Sequence, residues 1–164
     1  MPSSSALTAV FTTAARIKYA QKLGNLFVPA GILSYIDYFK IGMGGWNADG
    51  SPRTPSPALT DLDIVLDQAR DAAEKRYPLL TVPPYNITYE KEFLPGQLAA
   101  SANVLTATCE VLNAEYNDDG LGDSPILWEI GLYDTDGLMM VYGTFNGITK
   151  NTDRALNFPI RMTI

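Results

Sequence analysis

Residues 125–145 read PILWEIGLYDTDGLMMVYGTF, and the predicted architecture of the chain follows from them. Apolar residues alternate with others at a period of two over 126–133 and again over 138–145, which is typical of β-strands. Residues 134–137 between them have the composition of a tight turn, and Gly137 can adopt the positive φ that such a turn needs. The segment is therefore predicted to form a β-hairpin.

Apolar residues occur on both predicted faces of both hairpin strands. A sheet that has one face in water carries polar residues on that side, and this hairpin does not. The hairpin is therefore expected to be covered on both faces, either by another layer of its own domain or by a neighbouring subunit.

The composition limits the classes of function. The 164 residues suffice for one domain with a sizeable core; 18% of them are charged, and the formal net charge is −6. Nucleic acid and anionic membranes both need clustered Lys and Arg, so the charge argues against either partner. No apolar run reaches the roughly 18 residues of a membrane span, so no membrane insertion is expected. Residues 1–19 lack the features of a secretory signal, which predicts synthesis in the cytoplasm.

Two segments outside the hairpin have helical periodicity. Apolar residues three and four positions apart predict a helix near 12–24, which Gly24 ends. Similar spacing after Thr60, a favourable N-cap, predicts a second helix near 60–76. Residues 1–6 are mostly small and are expected to form a short flexible N-terminal arm.

The rest of the chain favours β-structure. Alternating and β-branched runs predict further strands over 34–43, 87–93, 104–114 and 155–164. Pro159 in the last of these indicates a strand with an unpaired edge, since proline has no N–H for the ladder. The predicted fold class is α+β, mostly antiparallel β-sheet, and the chain is predicted to be a single domain over 1–164.

Residues with catalytic chemistry are scarce. The chain has no histidine, which removes the commonest general base and transition-metal ligand. Cys109 lies in an apolar run with no histidine to activate it, so it is interpreted as a small buried side chain. No enzyme activity, catalytic residue, cofactor or metal site is therefore predicted. A glycosidase carboxylate pair stays open as an alternative, drawn from Glu90, Glu92, Glu110, Glu115 and Glu129.

The segment 46–57, WNADGSPRTPSP, has the Asn, Asp-Gly and proline content of a loop. Trp46, Asn47 and Arg53 within it are predicted to contact a partner protein, because exposed Trp and Arg are frequent in interface hot spots. The alternative is that the Trp46 ring folds back over the core.

Glu129 is a carboxylate inside the apolar hairpin, on the same predicted face as Gly131. Because a buried carboxylate is costly without a partner, we expect one for it. The candidates are a salt bridge to Lys40 or Arg161, a backbone contact within the sheet, or a residue of another subunit. Trp128, Glu129 and Gly131 complete the set of predicted interface residues.

The hairpin sequence WEIGLYDTDGLMMVYGTF resembles the EIGLFD-DG-LIAVG hairpin of the phage tail-collar fibre protein family, the N-terminal attachment domain of many tail fibres. Weaker likenesses follow in the family's order: FTTAARIKYAQKLG to its first helix, YFKIGMGG to a strand and glycine turn, PSPALTDL to the segment before a crossover, and LNFPIRMTI to its last strand. The chain departs from the family in having GMGG where GDG is usual and in lacking the histidine of that strand.

The resemblance implies a structural protein that attaches fibres or neighbouring proteins to a tail baseplate. The implied partners are other tail or baseplate proteins, a fibre, and further copies of the chain. The implied location is the tail of a virion, or a contractile injection particle assembled in the bacterial cytoplasm. Nine tyrosines and two tryptophans leave a carbohydrate-binding module as the alternative function.

Overall fold

The computed structural model describes residues 7–24, 36–47, 49–62, 88–101, 104–119 and 122–163. This part of the chain forms eight strands and one helix. In chain order they are β1 (Thr8–Phe11), α1 (Thr13–Gly24), β2 (Ile36–Gly42), β3 (Thr88–Glu92), β4 (Leu98–Ser101), β5 (Val104–Val111), β6 (Ile126–Asp134), β7 (Met139–Thr149) and β8 (Leu156–Thr163). The described residues are thus mostly antiparallel β-sheet with one short helix, and the predicted α+β class is not confirmed.

The strands form two antiparallel sheets. The larger has five strands in the order β1-β7-β6-β2-β3, and the smaller has three in the order β4-β5-β8. The predicted hairpin is confirmed: β6 and β7 pair antiparallel inside the larger sheet, with Leu132 opposite Val141. In the turn, the Gly137 N–H donates to the Asp134 carbonyl at 2.9 Å, and Gly137 has a φ of +77°.

The main core lies between the two sheets. β6 contributes Leu127, Ile130 and Leu132, while β8 buries every second side chain along its length. Phe145 of β7 meets Phe158 of β8 with ring centroids 4.8 Å apart. Because each such buried side chain contributes about 1.5–3 kcal/mol, this layer is the main source of stability.

The opposite face of the larger sheet is also covered. Leu62, Tyr133, Met139 and Tyr142 form a second buried cluster there. Leu62 belongs to the segment that follows β2, so residues of the same domain supply part of the cover. The expectation that the hairpin is covered on both faces is confirmed.

The predicted helix near 12–24 is confirmed as α1. Thr12 is its N-cap, because the Thr12 hydroxyl accepts a hydrogen bond from the Ala15 N–H at 3.0 Å. The same hydroxyl donates to the Met139 carbonyl at 2.6 Å. The cap therefore also fixes the start of α1 against β7.

Two strands, β1 and β4, were not among the predicted elements. Each has four residues, too few for a period of two to stand out. β4 also consists of Leu, Ala and Ser, which have little preference for strands. The second predicted helix, near 60–76, falls almost wholly outside the described residues, and so does the predicted arm at 1–6.

Pro159 lies in β8 at the edge of the smaller sheet, as its sequence context predicts. The Thr108 N–H donates to the Gln97 carbonyl at 2.8 Å, so the backbone groups of Thr108 point toward β4. Pro159 is opposite Thr108 on the other side of β5. The missing N–H of Pro159 therefore faces outward and breaks no ladder hydrogen bond.

Candidate functional site

Residues 45–53, here called the tryptophan loop, form a short closed hairpin beside the larger sheet; residue 48 lies outside the described ranges. Trp46 and Pro52 form an isolated antiparallel bridge. The Asn47 N–H donates to the Ser51 carbonyl at 2.8 Å, and the Arg53 N–H donates to the Gly45 carbonyl at 2.8 Å. The loop is therefore held by its own backbone rather than extended into solvent.

Trp46 folds back over the larger sheet, so the expectation that its ring is exposed is wrong. It is 9% exposed, its indole N–H donates to the Met43 carbonyl at 3.0 Å, and its ring stacks on Trp128 with centroids 6.0 Å apart. A Cβ on Gly147 would overlap the Trp128 ring, so the absence of a side chain there makes room for the indole. An interface role for the two tryptophans stays a prediction.

Asn47 and Arg53, the other predicted contact residues of the loop, are half-buried and hold it closed. The Asn47 amide donates to the Ser51 hydroxyl at 3.1 Å, and the Arg53 guanidinium donates to the Trp46 carbonyl at 3.2 Å. The Thr144 hydroxyl of β7 donates to the Arg53 carbonyl at 2.6 Å. These contacts attach the loop to the hairpin.

Glu129 lies beneath the start of the tryptophan loop and is fully buried. Its carboxylate accepts a hydrogen bond from the Tyr142 hydroxyl at 2.9 Å. A Cβ on Gly42 would lie 2.8 Å from the Glu129 carboxylate, and a Cβ on Gly45 would lie 2.9 Å from the Glu129 Cβ. Gly42, the last residue of β2, and Gly45, shortly after it, therefore make room for the buried glutamate.

Lys40 and Arg161, the two basic residues considered as partners of Glu129, are not among the contacts described for its carboxylate. The Lys40 ammonium is 3.8 Å from carboxylate oxygens of both Asp61 and Glu90. Arg161 is exposed on β8, which belongs to the other sheet. One partner of Glu129 in the described part of the chain is Tyr142 of the neighbouring strand, a residue type that the sequence pattern does not single out.

Gly131 shares a face with Glu129, as predicted, but contacts a different set of side chains. A Cβ on Gly131 would lie 2.8 Å from the Tyr133 ring, 2.9 Å from the Met139 sulfur and 3.2 Å from Leu62. Gly131 therefore lets the second buried cluster close over the sheet. The structure brings five of the six predicted residues together around the loop and its base, and places Gly131 beside that group.

The hairpin turn carries a buried carboxylate that the sequence reasoning missed. Asp134 is fully buried and accepts hydrogen bonds from the Lys18 ammonium at 2.5 Å and from the Asp136 and Leu138 N–H groups at 2.9 and 3.0 Å. Burial opposes the charge on Lys18, but the two nearby aspartates outweigh it and raise the pKa of Lys18. Asp134 thereby joins α1 to the turn. The signal that could have revealed this carboxylate is the aspartate at the start of the predicted turn.

Most of the titratable groups considered for catalysis are buried or bind another side chain. Burial raises the pKa of the Cys109 thiol, so it is protonated at neutral pH and is a poor nucleophile. Within the described part of the chain, no three His, Cys, Asp or Glu side chains are grouped to hold a metal ion. Three of the carboxylates considered for a glycosidase contact different side chains. Glu90 lies near the Lys40 ammonium, Glu115 forms an ion pair with Lys91, and Glu129 accepts a hydrogen bond from Tyr142.

Thr144→Val is expected to loosen the tryptophan loop. It removes the hydroxyl that donates to the Arg53 carbonyl while preserving the shape of the side chain, which we expect to cost about 1–2 kcal/mol of unfolding free energy. Because the chain has two tryptophans and both lie here, fluorescence should shift to the red and acrylamide quenching should increase. Thr149→Val, at an exposed position of the same strand, is the control. Identical quenching in the two variants would contradict the assigned contact.

Stability is expected to fall as the pH rises above about 10. Burial, together with a hydrogen bond to Asp61, raises the pKa of the Tyr133 hydroxyl far above its usual value. The folded chain therefore keeps a proton that the unfolded chain releases, so alkali favours unfolding. In urea unfolding across this range, Tyr133→Phe should make the decline shallower by up to about 1.4 kcal/mol per pH unit. Parallel declines in the two proteins would show that Tyr133 does not contribute.

Comparisons of this chain with protein family models, with curated proteins and with solved structures give no match. No helix in the described ranges is both long and apolar enough to cross a membrane. The tryptophan loop and the hairpin beneath it are the region in which most of the predicted interface residues lie close together.

Proposed function

We propose that this chain is a structural protein of a phage tail or of a tail-like injection particle, where it attaches fibres or neighbouring proteins to the baseplate. One observation carries the proposal: the segment whose sequence resembles the tail-collar family is also the hairpin on which the larger sheet is built. The likeness therefore concerns the framework of the domain rather than a surface loop.

The roles of individual motif residues support the same proposal. In the EIGLYD sequence, Glu129 is buried against glycines at and just after the end of β2, Gly131 lets a side-chain cluster close, and Asp134 binds Lys18 of α1. Each of these contacts positions an element of the domain. A motif whose residues stabilise the domain is consistent with a structural protein that binds its partners through its surface.

The surface proposed to meet the partner is the tryptophan loop with the edge of the hairpin beneath it. Asp49 and Gly50 at the tip of the loop are exposed, and Arg53 and Trp128 are half-buried at its base. The Ser51 hydroxyl and N–H both donate to the Asp49 carboxylate, which lowers the pKa of Asp49. The loop tip therefore carries an ordered, negatively charged carboxylate, that of Asp49, at neutral pH.

The test is whether the chain co-sediments with tail-like particles. Particles are purified from the source bacterium by sedimentation, washed at high salt, and assayed for the chain by mass spectrometry. We expect the chain in the particle fraction at a fixed ratio to the sheath or baseplate proteins. A chain that stays in the supernatant and binds sugars on a glycan array would overturn the proposal in favour of a carbohydrate-binding module.

A charge reversal in the loop tests the proposed surface. Arg53→Glu is expected to reduce incorporation of the chain into particles, because it reverses the charge at the base of the tryptophan loop. Arg154→Glu makes the same change at an exposed position in a different turn and is the control. Circular dichroism of both purified variants checks that they are folded. Equal incorporation of the two folded variants would place the partner on another surface.

A further inference from the structure

β4 is an edge strand of the smaller sheet in the described part of the chain. It stands at the end of the order β4-β5-β8, and none of the described residues pairs with its outer side. Ala99, Ala100 and Ser101 are exposed, so both faces of the strand reach solvent. An open edge presents a row of N–H and C=O groups to which a further strand can bind.

The sequence around β4 lacks the features that usually protect such an edge. No residue from Leu94 to Cys109 is charged, although 18% of the chain is charged. The outer edge of β8 carries Pro159 and Arg161, and β3 carries the charged residues 90–92. Leu94, in the turn that leads into β4, is 55% exposed. The edge of β4 is therefore uncharged and bordered by an exposed apolar side chain.

The ladder with β5 determines which backbone groups of β4 point outward. The Thr108 N–H donates to the Gln97 carbonyl, so the backbone groups of Gln97 point toward β5. In an antiparallel ladder this orientation repeats every second residue, which includes Ala99. The N–H and C=O groups of Leu98 and Ala100 therefore point away from the sheet. They are the groups that an added strand would bind.

We propose that two copies of this chain pair antiparallel through the outer edges of β4, with Ala99 of each copy on a two-fold axis. Leu98 of one copy then exchanges reciprocal backbone hydrogen bonds with Ala100 of the other, and the two smaller sheets become one continuous sheet. A second copy fits because its matching segment is also uncharged. Elsewhere on the surface, a net charge of −6 on each copy opposes close approach.

The pairing is small, and its size determines how it should behave. A strand of four residues forms a contact well below the roughly 1,000 Å² that a stable interface buries. The contact is therefore weak in dilute solution and becomes effective where many copies are held close together. A tail particle with several copies provides that setting, and in this respect the inference rests on the proposed function.

The pairing is tested with the purified chain by light scattering at rising concentration, where the mass should move from one chain toward two. Ala99→Lys and Ala99→Glu should each weaken self-association by roughly fivefold at low salt, because like charges then face each other across the axis. A mixture of the two variants should restore association, since Lys then faces Glu. Ala100→Pro removes an outward N–H without affecting the ladder to β5, and should weaken association further.

Two lysine variants serve as controls. Ala58→Lys makes the same substitution at an exposed position outside the strands and should leave association unchanged. Ala9→Lys places the charge on β1, an uncharged edge strand of the larger sheet. Loss of association in Ala9→Lys but not in Ala99→Lys would overturn the proposal, and so would failure of the mixed variants to associate.

The outcomes separate this inference from the proposed function. A wild-type chain that stays monomeric at every concentration but sediments with particles overturns the β4 pairing alone. A chain that pairs as expected but is absent from particles supports the pairing and overturns the tail function.

Discussion

Gly45→Ala is expected to lower the free energy of unfolding by about 2–4 kcal/mol. Gly45 has a φ of +83°, which alanine adopts only at a cost. A Cβ there would also lie 2.9 Å from the Glu129 Cβ and 3.2 Å from the Tyr142 hydroxyl. Both of those residues are fully buried, so neither can move aside without disturbing the sheet.

Gly50→Ala is the matched control for this change. Gly50 lies in the same loop with a φ of +78°, but a Cβ there would have no atom within 4 Å. Gly50→Ala should therefore cost about 1 kcal/mol, the strain of the backbone alone. Urea unfolding followed by circular dichroism gives both values. Equal losses would show that Glu129 is not packed tightly beneath the loop.

The second large effect is expected at the hairpin turn, where Asp134→Ala should cost about 2–4 kcal/mol of unfolding free energy. The fully buried Asp134 carboxylate binds the Lys18 ammonium and two N–H groups of the turn. Alanine removes all three contacts, and the turn N–H groups lose an acceptor that water cannot easily replace. Asp134→Asn keeps an oxygen for the turn and should have an intermediate effect.

Asp136→Ala tests the other ion pair of Lys18, which is exposed. The Asp136 carboxylate is 2.6 Å from the Lys18 ammonium, but its side chain is 60% exposed. Exposed ion pairs contribute little, so this variant should lose less than about 1 kcal/mol. Urea unfolding of the two alanine variants side by side measures the difference. Similar losses would mean that burial does not strengthen the contact at Asp134.

The elements that could be predicted from the sequence are those encoded by local pattern. The strands of the hairpin are long enough for a period of two to repeat, and their turn has its own residue signature. α1 likewise has a threonine cap and a regular apolar spacing. β4 was missed because it is short and its composition is neutral toward strand formation.

The candidate site was only partly predictable, because its contacts join distant parts of the chain. Thr144 binds the Arg53 carbonyl across 91 positions, and Lys18 binds Asp134 across 116. A local pattern shows that a residue is polar or small, but it does not show which distant group it meets. The glycines at and just after the end of β2 are visible in the sequence as an unusual cluster. That Glu129 occupies the space they leave follows only from the fold.

The position of β1 has a consequence for synthesis. β1 pairs with β7, so Thr8 lies opposite Thr144. During translation the first strand of the larger sheet therefore leaves the ribosome long before its partner exists. Contacts of such high sequence separation slow folding and leave a strand edge exposed to aggregation in the meantime. We expect the larger sheet to be completed only after β7 has been made, with the β6–β7 hairpin as the template that β1 joins last.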